Sequence, residues 1–132
     1  MILDIDKTLN QMPRLKGVVY RGTSMSSEKL KQILQNKELL DAAYISTSID
    51  ISDAYEFLRR ASNKNGNEKV MMTIYTRSGR FIPYGEFSRE EEVLLPRLSN
   101  RGILKLKYSF KYSDPEFPED TVTYLFFTEL DS

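Results

Sequence analysis

The chain has 132 residues, 40% of them hydrophobic, and 19 basic side chains balance 19 acidic ones. That length supports one domain around one real core, and the neutral balance excludes a general electrostatic footprint for nucleic acid. There is no histidine and no cysteine, which excludes Ser-His-Asp and Cys-His nucleophiles, zinc sites built on those residues and iron–sulfur ligation.

The first dozen residues read as one short helix with Ile2, Ile5, Leu9 and Met12 on a single face, ended by Pro13. Gly17 to Arg21 reads as a strand. Ser26 to Leu40 is the next predicted helix, capped by Ser26 or Ser27, with Glu28 in its first turn and Leu30, Ile33 and Leu34 as its buried stripe. Ala42 to Ser46 is a short strand. Asp50 is placed to cap a third helix whose inner face is Ala54, Phe57, Leu58 and Ala61. Asn63 to Asn67, with Gly66, is the clearest turn. A strand follows from Lys69 to Tyr75, then a long segment from Thr76 to Glu91.

Glu92 to Leu95 is a strand closed by Pro96. From Leu104 to Tyr112 the pattern alternates, with Leu106, Tyr108, Phe110 and Tyr112 on one side and Lys105, Lys107, Ser109 and Lys111 on the other. Asp114 to Asp120 reads as a connecting loop before a last strand, Val122 to Leu130. Helices early, strands late and no regular βαβ alternation make this an α+β protein with antiparallel or mixed sheets. No run reaches the roughly 18 apolar residues needed to span a bilayer, and the start lacks the basic segment of a signal peptide. The missing cysteines suit a reducing cytosol. Basic residues from Arg77 to Lys107, including Arg80, Arg97 and Arg101, surround a glutamate cluster. They read either as a solvated charged face or as a cationic rim suited to a diphosphate.

Three short runs carry chemistry: Val19-Tyr20-Arg21-Gly22, then Tyr44-Ile45-Ser46-Thr47-Ser48, then Glu90-Glu91-Glu92-Val93-Leu94-Leu95-Pro96. Each places polar groups at or just past the end of an apolar, strand-like run. On an extended backbone Glu90 and Glu92 share one face while Glu91 points away. Neither a Gly-x-x-x-x-Gly-Lys loop nor a Gly-x-Gly-x-x-Gly fingerprint is present. In this order the three runs resemble the arginine–serine–glutamate signature of the mono-ADP-ribosyltransferases, a family of bacterial exotoxins, phage enzymes and vertebrate ecto-transferases. Arg21 stands where the family's other class needs a histidine.

The resemblance implies two packed sheets enclosing a cleft for NAD, which is consumed as substrate without a metal. It implies that Glu92 stabilises an oxocarbenium-like transition state and that Ser46 holds Glu92 in register. Glu90 would steer or deprotonate an incoming guanidinium, so arginine is the expected acceptor. Arg21 would bind the diphosphate, with Gly22 allowing close backbone approach; Ser46, Thr47 and Ser48 are counted with them as NAD-binding residues, Thr47 and Ser48 also serving the strand end and the following turn. Tyr84 and Phe87, in the loop before the glutamates, would recognise the target protein, and Phe57 or Tyr55 could stack on nicotinamide. The family usually carries a longer helical lobe ahead of its Tyr-Arg-Gly. Residues 1–132 would then be a single catalytic domain, either minimal or the core of a longer chain. A toxin or effector acting in a cytosol, its own or that of a target cell, would meet a target protein and, as a further candidate partner, an inhibitor or immunity protein. An NAD glycohydrolase and a non-catalytic interaction domain that kept the fold are the competing readings.

Overall fold

Two long strands, much longer than their local sequence suggests, set the frame of the molecule. The computed structural model describes residues 5–39, 41–60, 67–82, 92–114 and 117–130. Strand β1 runs Arg14–Ser26 and β4 runs Asn67–Phe81, and the two pair antiparallel from Arg14↔Arg80 to Ser26↔Asn67. Gly17–Arg21 and Lys69–Tyr75 are only their apolar centres. The polar flanks Thr23–Ser26 and Thr76–Arg80 have little strand propensity of their own, and the mutual ladder recruits them.

Helix α1 spans Ile5–Leu9. It stops short of Pro13 as Gln11 and Met12 bond back to Thr8 and Leu9 in a tightened last turn. Helix α2 covers Ser27–Asn36, and Ser26 is its cap, accepting the Lys29 N–H at 3.1 Å. It ends four residues before the predicted Leu40 because Lys37 turns left-handed at φ 58° and sends its N–H to the Ile33 carbonyl. Strand β2, Glu38–Leu39, follows at once. Strand β3 is Ile45–Ser48, later than the predicted Ala42–Ser46.

Helix α3 is Ile51–Arg60, capped by Asp50 accepting the Ser52 N–H at 2.9 Å. Its inner ridge is Ala54 and Leu58; Phe57, expected in that ridge, is 64% exposed. Gly22 explains the rotation. A Cβ there would stand 2.0 Å from the Ala54 carbonyl oxygen and 3.0 Å from Leu58 Cγ, so the helix seats on the bare backbone of β1. The glycine therefore admits α3 on the outer face, where the sequence suggested close approach of a dinucleotide.

Strand β5 is Glu92–Leu95, a 3-10 turn occupies Leu98–Asn100, and β6, Leu104–Asp114, pairs with β7, Phe117–Glu129. Most of the predicted Asp114–Asp120 loop is thus hairpin, since the ladder continues to Asp114↔Phe117. In the middle of that hairpin the register slips, with Leu106 facing Phe127 and Tyr108 facing Phe126. This bulge at Lys107 turns the expected alternation over. Leu104 and Leu106 enter the core, while Tyr108, Phe110 and Tyr112 stand exposed on the outer face.

Strand order is β1-β3-β5-β4-β7-β6-β2, with β1 also paired to β4. All seven strands belong to one hydrogen-bonded sheet, where the sequence reading expected two: β1, β4, β7, β6 and β2 form its long run, and β3 and β5 bridge β1 to the far end of β4. Among the described residues only β4 and β7 run parallel, so the arrangement is mixed. The main core, including Val19, Ile45, Ile74, Val93, Leu95 and Leu125, is closed by Leu30 and Ile33 of α2. A smaller cluster of Ala54, Leu58 and Met71 packs α3 against the opposite face. No helix among the described residues is long and apolar enough to cross a membrane.

Strand β4 changes neighbours around Thr76–Ser78. It pairs with β7 as far as Tyr75↔Thr128 and with β5 from Arg80↔Leu94. Its ladder with β1 shifts between Leu15 and Gly17. The backbone groups freed there are taken up by Glu129, a buried carboxylate. Glu129 accepts the N–H groups of Arg77 (2.7 Å), Ser78 (3.0 Å) and Gly102 (2.8 Å) and the hydroxyls of Thr76 and Ser78 (both 2.8 Å). Burial alone would raise its pKa, but these donors together outweigh it and hold the carboxyl below its usual range.

Two outcomes follow from this packing. Because the folded pKa of Glu129 is depressed, its contribution to stability is complete above the ordinary carboxylate pKa of about 4.3 and is lost as pH falls through the folded value. Glu129→Gln should therefore cost at least about 2 kcal/mol near pH 7, by turning an amide N–H₂ toward buried donors. The gap from the parent chain should narrow in acid, which denaturant titrations at several pH values measure. Gly22→Ala should destabilise by about 1–3 kcal/mol through overpacking against Ala54, read as a lowered denaturation midpoint with the slope unchanged.

Candidate active site

The strand order places the three sequence runs side by side. Strand β3 lies between β1 and β5, so the Arg21 strand, the Ser46–Ser48 strand and the Glu92 strand are consecutive neighbours. Arg21 leaves β1 on the core side, is half-buried, and donates from Nη1 to the Ser46 carbonyl at 3.0 Å. Burial pushes its guanidinium below the usual range, and the Asp41 carboxylate works the other way. Its hydrogen bond is to backbone, which leaves donors of the planar fork for another acceptor.

Along the β3–β5 ladder Ser48 faces Glu92, Thr47 faces Val93 and Ser46 faces Leu94. Alternation puts Ser46, Ser48, Glu92 and Leu94 on one face and Thr47 and Val93 on the buried one. Ser46 is thus diagonal to Glu92, within reach of a long side chain, and Ser48 is directly across from it. The three hydroxyls divide the local work. Thr47 Oγ1, buried, donates to the Val93 carbonyl at 2.7 Å and clamps β5. Ser48 Oγ accepts the Asp50 N–H and donates to Asp53 Oδ2, both at 3.0 Å, and so holds the turn into α3. Ser46 stays exposed beside Glu92. The expected side-chain tie on β5 is therefore made by Thr47.

Further clamps fix where β3 enters and β5 leaves. Arg101, 5% exposed, donates to the carbonyls of Ala43 (3.1 Å), Pro96 (2.6 Å) and Asp41. Asp6 accepts the Tyr44 hydroxyl and both Nε and Nη2 of Arg97, and these donors hold its carboxyl below the usual range. Arg80 donates to the Met12 carbonyl at 2.8 Å. Arg80 and Arg101 are thus internal fasteners, and the exposed Arg97 ties α1 to the chain through Asp6, so these three have structural partners where the sequence also allowed a cationic rim.

A cavity opens beside Arg21. It is lined by Arg21, Thr23, Lys29, Asp41, Ile45 and Met72, and across Lys29, Leu39 and Asp41 it continues into a wider groove of about 410 Å³. Ser26, Glu28, Gln32 and Glu38 line that groove. Lys29 and Asp41 stand 3.9 Å apart at the junction. Sequence reading passed over both. The one available signal was a lysine in the first turn of α2, where the helix dipole favours acids. Glu90, Tyr84 and Phe87 lie outside the described residues. Of the two aromatics considered for nicotinamide, Tyr55 bonds to the Tyr124 hydroxyl at 3.1 Å on the α3 face, and Phe57 is solvent-exposed on the same helix.

No protein-family model matches the sequence, and no curated protein sequence matches it significantly. Solved structures do match. The ADP-ribosyltransferase Vis from Vibrio splendidus, in complex with the M6 inhibitor, superposes with a TM-score of 0.71 at 23% identity, over 97% of this chain and 55% of Vis. Vis in complex with agmatine gives 0.68 at 22% identity over the same shares. The ADP-ribosyltransferase HopU1 of Pseudomonas syringae pv. tomato gives 0.65 at 16%, over 89% of this chain and 46% of HopU1. The chain spans about half the length of these proteins. Its β1–β3–β5 arrangement, with Arg21, Ser46 and Glu92 on adjacent strands, is carried on the fold of the mono-ADP-ribosyltransferases.

Proposed function

We propose that residues 1–132 form a catalytic domain that transfers ADP-ribose from NAD to an arginine side chain of a target protein. The observation that carries this reading is the adjacency of Arg21, Ser46–Ser48 and Glu92 on three consecutive strands, beside a cavity that widens past Arg21. Support for arginine comes from the Glu90–Glu92 spacing and from the Vis complex with agmatine, itself a guanidinium compound.

In this reading the Arg21 guanidinium holds the diphosphate of the dinucleotide, with Lys29 as a second cation once its exposed pairing with Asp41 opens. The adenosine end fits the groove of about 410 Å³, where Gln32 and Glu38 offer hydrogen-bonding groups. The bond between ribose C1′ and the nicotinamide nitrogen breaks, and its electron pair leaves with neutral nicotinamide. Positive charge grows on the ribose, and Glu92 gains interaction as it grows, so it stabilises the transition state more than the bound substrate. A guanidinium nitrogen of the acceptor then bonds to C1′ and releases a proton. The acceptor guanidinium holds its proton tightly near neutral pH, so a carboxylate that accepts the proton late, Glu90, makes the attack productive.

Glu92→Gln keeps shape and removes charge, and nicotinamide release should fall on the order of 100- to 1,000-fold. A fall under about tenfold would remove Glu92 from the centre of the chemistry. Glu90→Gln should leave nicotinamide release largely intact while transfer of labelled ADP-ribose to agmatine collapses, both followed in one tube. If both activities fall together, Glu90 serves the dinucleotide; if neither falls, the acceptor is water or another side chain, and an NAD glycohydrolase becomes the better description.

A further inference from the structure

Strand β6 leaves most of one edge of the large sheet open. Its partner on the outer side, β2, pairs only at Glu38↔Lys105 and Leu39↔Leu104, with one more bond from the Leu106 N–H to the Lys37 carbonyl at 2.7 Å. Beyond Leu106, no strand among the described residues pairs with β6 on that side. On the other side the ladder with β7 is regular from Tyr108↔Phe126 to Ser113↔Thr121. In such a ladder alternate residues turn their N–H and C=O groups away from the existing partner, here toward open solvent.

The same stretch is aromatic on its outer face. Tyr108, Phe110 and Tyr112 are 60%, 40% and 51% exposed. Their rings are held in place by the next strand: Phe110 stacks on Tyr124 with centroids 4.9 Å apart and planes 9° apart, and Tyr108 packs on Phe126 at 5.5 Å. A flat, aromatic, unpaired edge is a template for another strand. The bulge at Lys107 would blunt it, but beyond it the ladder with β7 runs without a shift as far as Ser113.

The sequence of this edge is complementary to itself. Lys107-Tyr-Ser-Phe-Lys-Tyr-Ser113, laid antiparallel on a second copy about Phe110, sets phenylalanine against phenylalanine and Tyr108 against the second copy's Tyr112. Lys107 then meets Ser113 and Lys111 meets Ser109, so aromatic pairs fill one face and no lysine opposes a lysine on the other. Other centres on this edge lose that match. A twofold axis at Ser109 would set Lys107 against Lys111, and one at Lys111 would set that lysine against itself. Within each copy Lys111 is already paired to Glu68 at 3.4 Å.

We infer that the partner of this edge is a second copy of the chain, its β6 added antiparallel to β6 about a twofold axis at Phe110, which joins the two large sheets into one. The Arg21, Ser46 and Glu92 strands lie toward the other end of the strand order.

Sedimentation equilibrium tests this directly. The mass should rise from 15.4 kDa toward twice that value with concentration. A chain that stays monomeric up to about 1 mM, the weak end of specific association, would overturn the proposal. Phe110→Lys puts two lysines across the axis and should hold the mass at the monomer value with an unchanged circular dichroism spectrum; a folded variant that still dimerises pairs by another face, which refutes the inference. Should that variant fail to fold, Phe110→Cys decides. Opposed Cα atoms of an antiparallel pair lie about 4.5–5.5 Å apart, within disulfide reach, and the chain has no other cysteine. Mild oxidation should cross-link Phe110→Cys but not Ser113→Cys, which faces Lys107; no cross-link at 110, or equal cross-linking at both, rejects the register.

Discussion

The architecture depends on one strand, β4, that exchanges one neighbour for another along its length. Strand β4 pairs with β7 along its first half and with β5 at its end, while β1 accompanies it almost throughout. A strand can change neighbours only by freeing some backbone groups, and in a closed interior those groups need partners. Glu129, at the end of β7, supplies them with one carboxylate that accepts from Arg77, Ser78 and Gly102. An ionised carboxylate is costly to bury without donors; five of them make this one a fastener. The same contact ties β4, β7 and the start of β6 together where β4 passes from β7 to β5.

The site inherits its geometry from that exchange. Once β4 hands its edge to β5, β3 fits between β5 and β1, and the serine strand comes to lie between the arginine and glutamate strands. Backbone carbonyls hold these parts together more than opposite charges do. Arg21 bonds to the carbonyl of Ser46, Thr47 to that of Val93, and Arg101 to those of Asp41, Ala43 and Pro96. The arrangement sets the arginine's position from its own strand and its neighbour's backbone, so the candidate phosphate contact is built before any substrate arrives.

The two faces of the large sheet have different fates. The face toward α2 is a dry core of aliphatic side chains. The other is covered by α3 only near Gly22, Met71 and Tyr124, and past that helix the aromatic side chains of β6 and β7 stack on one another in the open. Stacking with neighbours in the same sheet gives these rings order without burial. That is why large apolar residues can persist on an exposed edge, and why the edge is a plausible template for a second strand.

What could be read from the sequence is whatever depends on local chemistry and order along the chain. The Ser26 and Asp50 caps, the short β5, the α+β class and the three polar runs are all of this kind, because capping and alternation act over a few residues. Resemblance in the order of those runs, Arg21 then Ser46 then Glu92, was enough to suggest the fold that the structural comparison found. What the tertiary structure alone decided depends on partners far away in the chain. The polar segment Thr76–Arg80 is strand because β1 and a buried glutamate 51 to 53 residues later accept its backbone. Gly22 is bare because a helix carbonyl needs its space, Phe57 turns outward because that helix seats on Ala54 and Leu58, and Thr47 acts as the clamp because register buried it. Even the aromatic face of β6 changed sides through a single bulge. A period-2 pattern specifies which residues share a face but not where the ladder slips, and the slip is fixed only when β7 supplies the other half of the register.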